Sequence, residues 1–190
     1  MHIVYGGAFN SPTVAHLQVY LFVEEKLPVK RITFLPVSSA YTKSELISNG
    51  HRLAMLKLMT QRYDDVDICD IEMRDDTFRG TYQTLIRLSD TSNEPLAFVI
   101  GADNVVALSS WKMAKSLLSE FKIIILNRHH IDIDVLIDKD PLLREFKDQF
   151  IIFNDFNFEG SSTEFRHTYD ATLVDDKVFD YIKTHDLYKE

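Results

Sequence analysis

Two glycines and a histidine stand near the amino terminus at a spacing that suits phosphate binding. An apolar run at 3–5 stops at Gly6 and Gly7, and His16 lies at the start of a segment that is predicted to be helical. Adjacent glycines let the backbone approach a ligand closely. The free N–H groups and the positive dipole of a helix N-terminus favour an anion. Residues 6–16 therefore predict a nucleotide site, although an ordinary strand-to-helix turn shows the same local pattern.

A second candidate anion site lies near the carboxyl terminus. Ser161, Ser162 and Thr163 can each serve as a helix N-cap, and a helix that begins there offers free N–H groups to phosphate. Arg166 follows Thr163 by about one helical turn, so its guanidinium can reach the same anion. Arginine suits phosphate because its planar fork donates two hydrogen bonds at once. The alternative reading is a helix that is capped by its own serine or threonine.

Both stretches resemble the signatures of one enzyme family. GGAFNSPTVAH at 6–16 resembles GGTFDPPHxGH, the amino-terminal signature of the HxGH nucleotidyltransferases, and EGSSTEFR at 159–166 resembles their ISSTxxR signature. FVIGADN at 98–104, Trp111 and the tail VFDYIKTHDLY at 178–188 resemble the bacterial nicotinate-nucleotide adenylyltransferases. The resemblance covers nearly the whole chain in the right order. It implies adenylyl transfer from ATP to nicotinate mononucleotide, which gives deamido-NAD and pyrophosphate in NAD biosynthesis, with Mg²⁺ accompanying the ATP.

The resemblance also implies a role for each matching residue. His16 would contact the ATP phosphates in the transition state, with Lys43 and Arg166 as the other catalytic residues; Arg52 is a weaker candidate of the same kind. Lys43, Thr81 and Trp111 would bind the mononucleotide, the indole by stacking on the pyridine ring. The implied ATP-binding residues are Gly6, Gly7, Ala8, Phe9, Thr13, His16, Gly101, Asp103 (at the ribose hydroxyls), Arg128 (near the adenine), Ser161, Ser162, Thr163 and Arg166.

The first motif departs from the family pattern at four positions. Thr13 stands where the family has its first histidine, Asn10 replaces an aspartate, Ser11 a proline and Ala15 the glycine of HxGH. A threonine hydroxyl donates one hydrogen bond but carries no charge. Because the loss of one phosphate-directed donor costs about 10²–10³ in rate, Thr13 predicts weaker catalysis with nucleotide binding retained.

These departures leave two other functions open. The segments at 78–83 and 111–112 also differ from the family pattern, which is compatible with a nucleotidyltransferase of the same fold that uses another acceptor. Lys112, where an aromatic residue is common, would still suit an acidic pyridine. The altered first motif is compatible with a non-catalytic nucleotide-binding or regulatory protein. A panel of acceptors tests the first alternative, and ATP binding without turnover would favour the second.

Composition narrows the class of protein. With 190 residues, 45% of them hydrophobic, the chain is expected to form one packed domain over 1–190. A net charge of −8 argues against a general nucleic-acid or membrane-surface binder. Cys69 is the single cysteine, which fits the cytoplasm, and no apolar stretch approaches the roughly 18 residues of a membrane span. No protein-bound metal is expected, because the adjacent His129 and His130 point apart; homo-oligomerisation stays open.

The elements that must position these residues alternate between strand and helix. This order predicts a Rossmann-like α/β fold with a largely parallel sheet and helices on both faces. In such sheets, ligands bind beyond the carboxyl ends of the strands, so His16, Lys43, Asp103 and 161–166 are predicted to share one crevice. The predicted strands are 2–5, 31–36, 66–71, 96–100, 121–127 and 150–153, and the main predicted helices are 14–26, 51–63, 81–88 with Thr81 as N-cap, 134–147 and 175–185.

Overall fold

A single parallel sheet forms the framework of the fold. The computed structural model describes residues 1–39, 46–128, 131–158 and 160–189. The strands form a six-stranded sheet in the order β3-β2-β1-β4-β5-β6. They are β1 (His2–Gly7), β2 (Arg31–Pro36), β3 (Val66–Ile68), β4 (Leu96–Gly101), β5 (Lys122–Leu126) and β6 (Phe150–Phe153). The predicted α/β fold with a parallel, Rossmann-like sheet is confirmed.

Helices connect most of the strands. Within the described ranges, none of them is long and apolar enough to cross a membrane. The α-helices are α1 (Val14–Lys26), α2 (Asn49–Thr60), α3 (Thr81–Ser89), α4 (Val105–Leu108), α5 (Ala114–Glu120), α6 (Ile133–Lys139), α7 (Pro141–Glu145), α8 (Ser162–Thr168) and α9 (Asp176–Thr184).

The order of the strands reverses between β1 and β4. These strands pair in parallel from His2 opposite Leu96 to Tyr5 opposite Val99. Strand β4 pairs in the same sense with β5, which places Gly101 opposite Leu126. The carboxyl ends of β1, β4 and β5 therefore lie side by side. In open sheets of this kind, that switch point is where ligands bind.

The chain divides into two compact units. The first unit comprises Met1–Gly6, Val29–Thr33 and Phe78–Asn157, and the second comprises Gly7–Pro28, Phe34–Thr77 and Phe158–Glu190. In the first unit, β4 and β5 are apolar and buried along most of their length, as strands covered on both faces must be. The second unit has a core of its own, in which Phe34 and Phe165 are fully buried.

Two of the differences between predicted and observed helix boundaries have a clear local cause. Gly80, not Thr81, is the N-cap of α3, and its φ of 97° is a conformation that glycine adopts at little cost. The predicted helix at 134–147 is interrupted, so that α6 ends at Lys139 and α7 begins at Pro141. Asp140 between them accepts hydrogen bonds from the backbone N–H groups of Leu142 and Leu143. Proline at the first position of a helix after an aspartate N-cap is a favoured start.

The buried guanidinium of Arg52 joins three parts of the second unit. Arg52 lies in α2 and is 0% exposed. Its Nη1 donates to the carbonyl oxygen of Ala8 at 2.7 Å, its Nη2 to that of Val37 at 2.7 Å and its Nε to that of Ile47 at 3.3 Å. Nη2 also donates to Oδ1 of Asn49 at 2.7 Å. Arg52 therefore has a structural position, which differs from the expected phosphate contact.

Replacement of Arg52 by methionine tests this structural role. The variant Arg52→Met keeps an unbranched buried side chain but leaves buried carbonyl oxygens without their donor. We expect the free energy of unfolding to fall by about 3 kcal/mol, measured by urea denaturation. Arg62→Met is the control, because the Arg62 side chain is 62% exposed in an ion pair with Asp175 and its loss costs under about 1 kcal/mol. Equal effects of the two substitutions would contradict the role of Arg52.

Asp140 makes the stability of the first unit depend on pH. A hydrogen bond from Ser109, together with the backbone N–H groups of Leu143 and Leu142, lowers the pKa of Asp140 below its ordinary value. Since the pKa is lower in the folded protein than in the unfolded chain, the stabilisation is complete above the unfolded value of about 4. It is lost as the pH falls through the folded value.

We therefore expect Asp140→Ala to lower the free energy of unfolding by about 1 kcal/mol at neutral pH. The difference from the original protein should shrink as the pH is lowered towards about 3, in thermal or urea denaturation followed across pH. Asp138→Ala is the control, since Asp138 is exposed at the end of α6 and its loss should change stability by less than about 0.5 kcal/mol. A difference that stays constant with pH would contradict the contribution of the carboxylate.

Candidate nucleotide site

Thr13 fixes the orientation of His16 at the start of α1. The backbone N–H of Thr13 donates to Nδ1 of His16 at 2.9 Å, and the Thr13 hydroxyl lies 2.9 Å from the same nitrogen. Because Nδ1 accepts a backbone N–H, the neutral imidazole carries its proton on Nε2. Thr13 is 0% exposed. The threonine at the first histidine position thus touches His16, and this arrangement makes Nε2 of His16 a hydrogen-bond donor.

The ring of Phe9 packs against the imidazole ring of His16. Phe9 is 1% exposed, and its ring centroid lies 5.0 Å from that of His16 and 5.5 Å from that of Phe34. Gly7 leaves room for the Phe9 ring, because a Cβ atom on residue 7 would lie 3.1 Å from Cζ of Phe9. Phe9 therefore packs under the loop, while Ala8 beside it is exposed. Of the first-motif residues predicted to bind ATP, Ala8 is exposed, and Gly6, Gly7 and His16 are half-buried. Phe9 and Thr13 are buried.

Side chains of the second motif hold the backbone of the first. Ser162 donates from its hydroxyl to the carbonyl oxygen of Ser11 at 2.6 Å. Arg166 donates through Nη1 to the carbonyl oxygen of Asn10, and its Nη2 lies 3.2 Å from Oγ1 of Thr163. The second unit thus brings together both stretches that the sequence identified.

Ser161 is the N-cap of α8. Its hydroxyl accepts a hydrogen bond from the backbone N–H of Glu164 at 3.0 Å. The prediction that a serine or threonine of this motif caps a helix is confirmed, and Ser161 is the residue that does so. Thr163 is exposed on the first turn of the same helix.

A second group of candidate residues lies at the carboxyl ends of β1, β4 and β5 in the first unit. Asp103 follows β4 and is exposed, and Arg128 follows β5 and is half-buried. Burial raises the pKa of the Tyr5 hydroxyl on β1, Arg128 acts to lower it, and Asp103 acts to raise it further. A Cβ atom on Gly101 would lie 2.4 Å from Oδ1 of Asp103. The glycine thus leaves space for the carboxylate, which is within electrostatic range of Tyr5.

Asn127, which sequence reasoning missed, precedes Arg128 and forms hydrogen bonds with Ile131 and Asn154. Asn127 is 2% exposed. Its Oδ1 accepts from the backbone N–H of Ile131 at 2.9 Å, and its Nδ2 donates to the carbonyl oxygen of Ile131 at 2.7 Å and to Oδ1 of Asn154 at 2.8 Å. A buried amide directly after an apolar strand was the available signal, because such a group must be hydrogen-bonded.

The residues expected at the mononucleotide also lie in the first unit. Trp111 is half-buried, with its ring centroid 6.3 Å from that of Phe98. Thr81 is the first residue of α3 and is half-buried. The stem of Lys112 lies against Gly80, where an added Cβ would be 3.0 Å from Cβ of Lys112. Gly80 and Lys112, which belong to the two segments that differ from the family pattern, therefore lie against each other beside Thr81.

Other predicted residues cannot be placed. Lys43, His129 and His130 lie outside the described residues. Among the residues that are described, no group of three or more histidine, cysteine, aspartate or glutamate side chains could hold a metal ion. Gly6 is described, and it lies with Gly7 at the end of β1, before the first-motif loop.

Comparison with known proteins gives the family. A family model described as cytidylyltransferase-like matches residues 4–168. A "Probable nicotinate-nucleotide adenylyltransferase" of Acholeplasma laidlawii is 35% identical over 193 aligned positions, which cover 100% of this chain and 98% of the relative. The protein of the same name from Caldicellulosiruptor saccharolyticus is 28% identical and covers 98% of each chain.

A solved structure agrees in fold. Nicotinic acid mononucleotide adenylyltransferase of Plasmodium falciparum, complexed with NaAD, matches with a TM-score of 0.78. The match covers 98% of this chain and 96% of that chain at 20% identity. The residues that the sequence singled out, the strand order and the full-length relatives lead to the same conclusion. The chain belongs to the cytidylyltransferase-like family, among the nicotinate-nucleotide adenylyltransferases.

Proposed function

We propose that this protein transfers the adenylyl group of ATP to nicotinate mononucleotide. A phosphate oxygen of the mononucleotide attacks the α-phosphorus of ATP, the bond to the β-phosphate oxygen breaks, and deamido-NAD and pyrophosphate form. The observation that carries this proposal is the joining of both motifs in the second unit, where Ser162 and Arg166 donate to the carbonyls of Ser11 and Asn10. The names of the full-length relatives support the same reaction.

His16 is the catalytic donor in this proposal. The attacking phosphate is already ionised, so the protein needs to align two anions and stabilise the charge on the α- and β-phosphates. The Nε2–H group of His16, fixed by Thr13, supplies one hydrogen bond to that charge. Lys43 and Arg166 add positive charge. Gly6 and Gly7 at the end of β1, with Ala8 after them, give the backbone close access to the nucleotide. Thr13 acts through His16, and Phe9 through its packing on His16.

The resemblance to the family also assigns residues to the β- and γ-phosphates and to the adenosine of ATP. Ser161, Ser162, Thr163 and Arg166 bind the β- and γ-phosphates. Asp103 accepts hydrogen bonds from ribose hydroxyls, with Gly101 leaving room for close approach. Arg128 lies on the adenine side. Magnesium enters with ATP as the Mg·ATP substrate and neutralises phosphate charge.

The acceptor is proposed to bind through Trp111, Thr81 and Lys43. The indole stacks on the pyridine ring, and Thr81 together with the N-terminus of α3 receives the pyridine carboxylate. The Lys112 stem lies against Gly80 beside Thr81, which adds positive charge where a carboxylate would bind. A reducing cytoplasm is the proposed compartment, in keeping with a single cysteine.

The direct test incubates the purified protein with ATP, Mg²⁺ and nicotinate mononucleotide. We expect pyrophosphate and deamido-NAD in equal amounts, measured by coupled phosphate release and by chromatography. Nicotinamide mononucleotide in a parallel reaction should give slower turnover, because it lacks the carboxylate that Thr81 and Lys112 favour. Turnover with a different acceptor alone would support the same-fold alternative, and ATP binding without any product would support a non-catalytic protein.

His16→Ala tests the catalytic donor. We expect kcat to fall at least about tenfold, because one donor to the developing phosphate charge is lost. The fold should be retained, since His16 is half-buried at a helix start, and circular dichroism and thermal denaturation check this. His167→Ala is the control: His167 is exposed on α8 and its removal should leave kcat unchanged. Unchanged turnover in His16→Ala would remove His16 from the mechanism.

A further inference from the structure

We propose that Tyr188 is a positioning residue that holds the Asn10–Ser11 turn of the first motif in its binding geometry. The hydroxyl of Tyr188 donates to Oδ1 of Asn10 at 3.0 Å. Arg166 and Ser162 of the second motif donate hydrogen bonds to the carbonyl oxygens of the same turn. The inference rests on the proposed function, since it concerns the same nucleotide site, but the hydrogen bond can be tested without turnover.

Asn10 is the point where three other segments of the chain meet. It is 3% exposed. Its side-chain oxygen accepts from the Tyr188 hydroxyl and from the backbone N–H of Ile47, the latter at 3.3 Å. Its main-chain oxygen accepts from Arg166. The residue that replaces the family's aspartate thus keeps an oxygen acceptor for two donors, and Tyr188 is the donor from the C-terminal segment.

The environment of Tyr188 keeps its hydroxyl a donor. Burial raises the pKa of Tyr188, and the positive charges of Arg166 and Arg52 oppose this shift only in part. The hydroxyl therefore stays protonated. The ring is held in place as well, because its centroid lies 6.0 Å from that of the fully buried Phe165, edge to face. A rigid ring with a protonated hydroxyl is suited to fix the position of a loop.

Tyr169 provides a matched control. Its ring also packs on Phe165, with centroids 5.5 Å apart and nearly parallel planes. Its hydroxyl is buried, and it has no hydrogen-bond partner among the residues that the structure describes. Each of the substitutions Tyr169→Phe and Tyr188→Phe therefore removes one hydroxyl from the same aromatic cluster. Only Tyr188→Phe also removes a hydrogen bond to the first motif.

The first measurement is hydrogen exchange in the ligand-free protein, followed by mass spectrometry. Tyr188→Phe should speed amide exchange about three- to tenfold in peptides covering 8–16 and the Ile47 amide, as the loss of one hydrogen bond allows. Tyr169→Phe should leave these rates unchanged. Equal exchange in both variants would overturn the proposal, whether or not the protein has the proposed activity.

The second measurement separates positioning from simple stability. In Tyr188→Phe, kcat/KM for ATP should fall about three- to tenfold while KM for the mononucleotide stays unchanged. In an Asn10→Ala background, Tyr188→Phe should have no further effect on exchange in residues 8–16, because the acceptor is already absent. A lowered melting temperature with unaltered kinetics, or fully additive effects with Asn10→Ala, would overturn the positioning role. Absence of turnover in the unmodified protein would count against the proposed function alone.

Discussion

The second unit depends on one buried charge. Arg52 is completely enclosed, and its guanidinium donates to carbonyl oxygens from the first-motif loop, from the end of β2 and from the segment that precedes α2. A buried cation is costly unless all its donors are used. The same hydrogen bonds also pair carbonyl oxygens of three chain segments and fix these segments to one helix. The loop that leads to His16 at the start of α1 begins at this anchor.

The regular part of the fold was predictable because its physical causes are local. Strands β2, β4 and β5 are continuous apolar runs, which buried parallel strands require. Helix α1 was predicted at its observed bounds, since Pro28 limits it and its apolar residues are dense. The break between α6 and α7 was also visible in the sequence, as an aspartate followed by proline. The helical periodicity over 134–147 predicts one continuous helix, but this start signal ends α6 and begins α7.

The role of Arg52 was missed for a different reason. The buried positions of α2 are Arg52, Met55, Leu56, Met59 and Thr60, a spacing of three and four residues. Arg52 falls on this stripe, whereas Leu53, an apolar residue three positions before Leu56, is only half-buried. A charged residue on an apolar stripe suggests solvent exposure unless its partners are known, and the three carbonyl partners of Arg52 lie outside the helix. The contacts of Tyr188 and Asn127 depend in the same way on distant segments, which no local pattern encodes.

The site shows how a degenerate motif can keep its geometry. Thr13 replaces a histidine, yet it is the residue that orients the remaining histidine through its backbone N–H. A main-chain donor is indifferent to the side chain at its position, so His16 keeps its tautomer despite the substitution. Phe9 supports the other side of the same ring. The sequence predicted that one of residues 161–163 caps a helix, and Ser161 does so. The contacts that hold His16 could be seen only in three dimensions.

The contacts between the two motifs have a consequence for the order of folding. Ser162, Arg166 and Tyr188 reach residues 151, 156 and 178 positions earlier in the chain. Contacts of such separation must overcome a large loop-closure entropy, and they form late. During synthesis on the ribosome, the first-motif loop and α1 emerge long before the segments that hold them. The first motif therefore lacks these partners until Tyr188 has been synthesised, and the contacts that hold the candidate nucleotide site form late in folding.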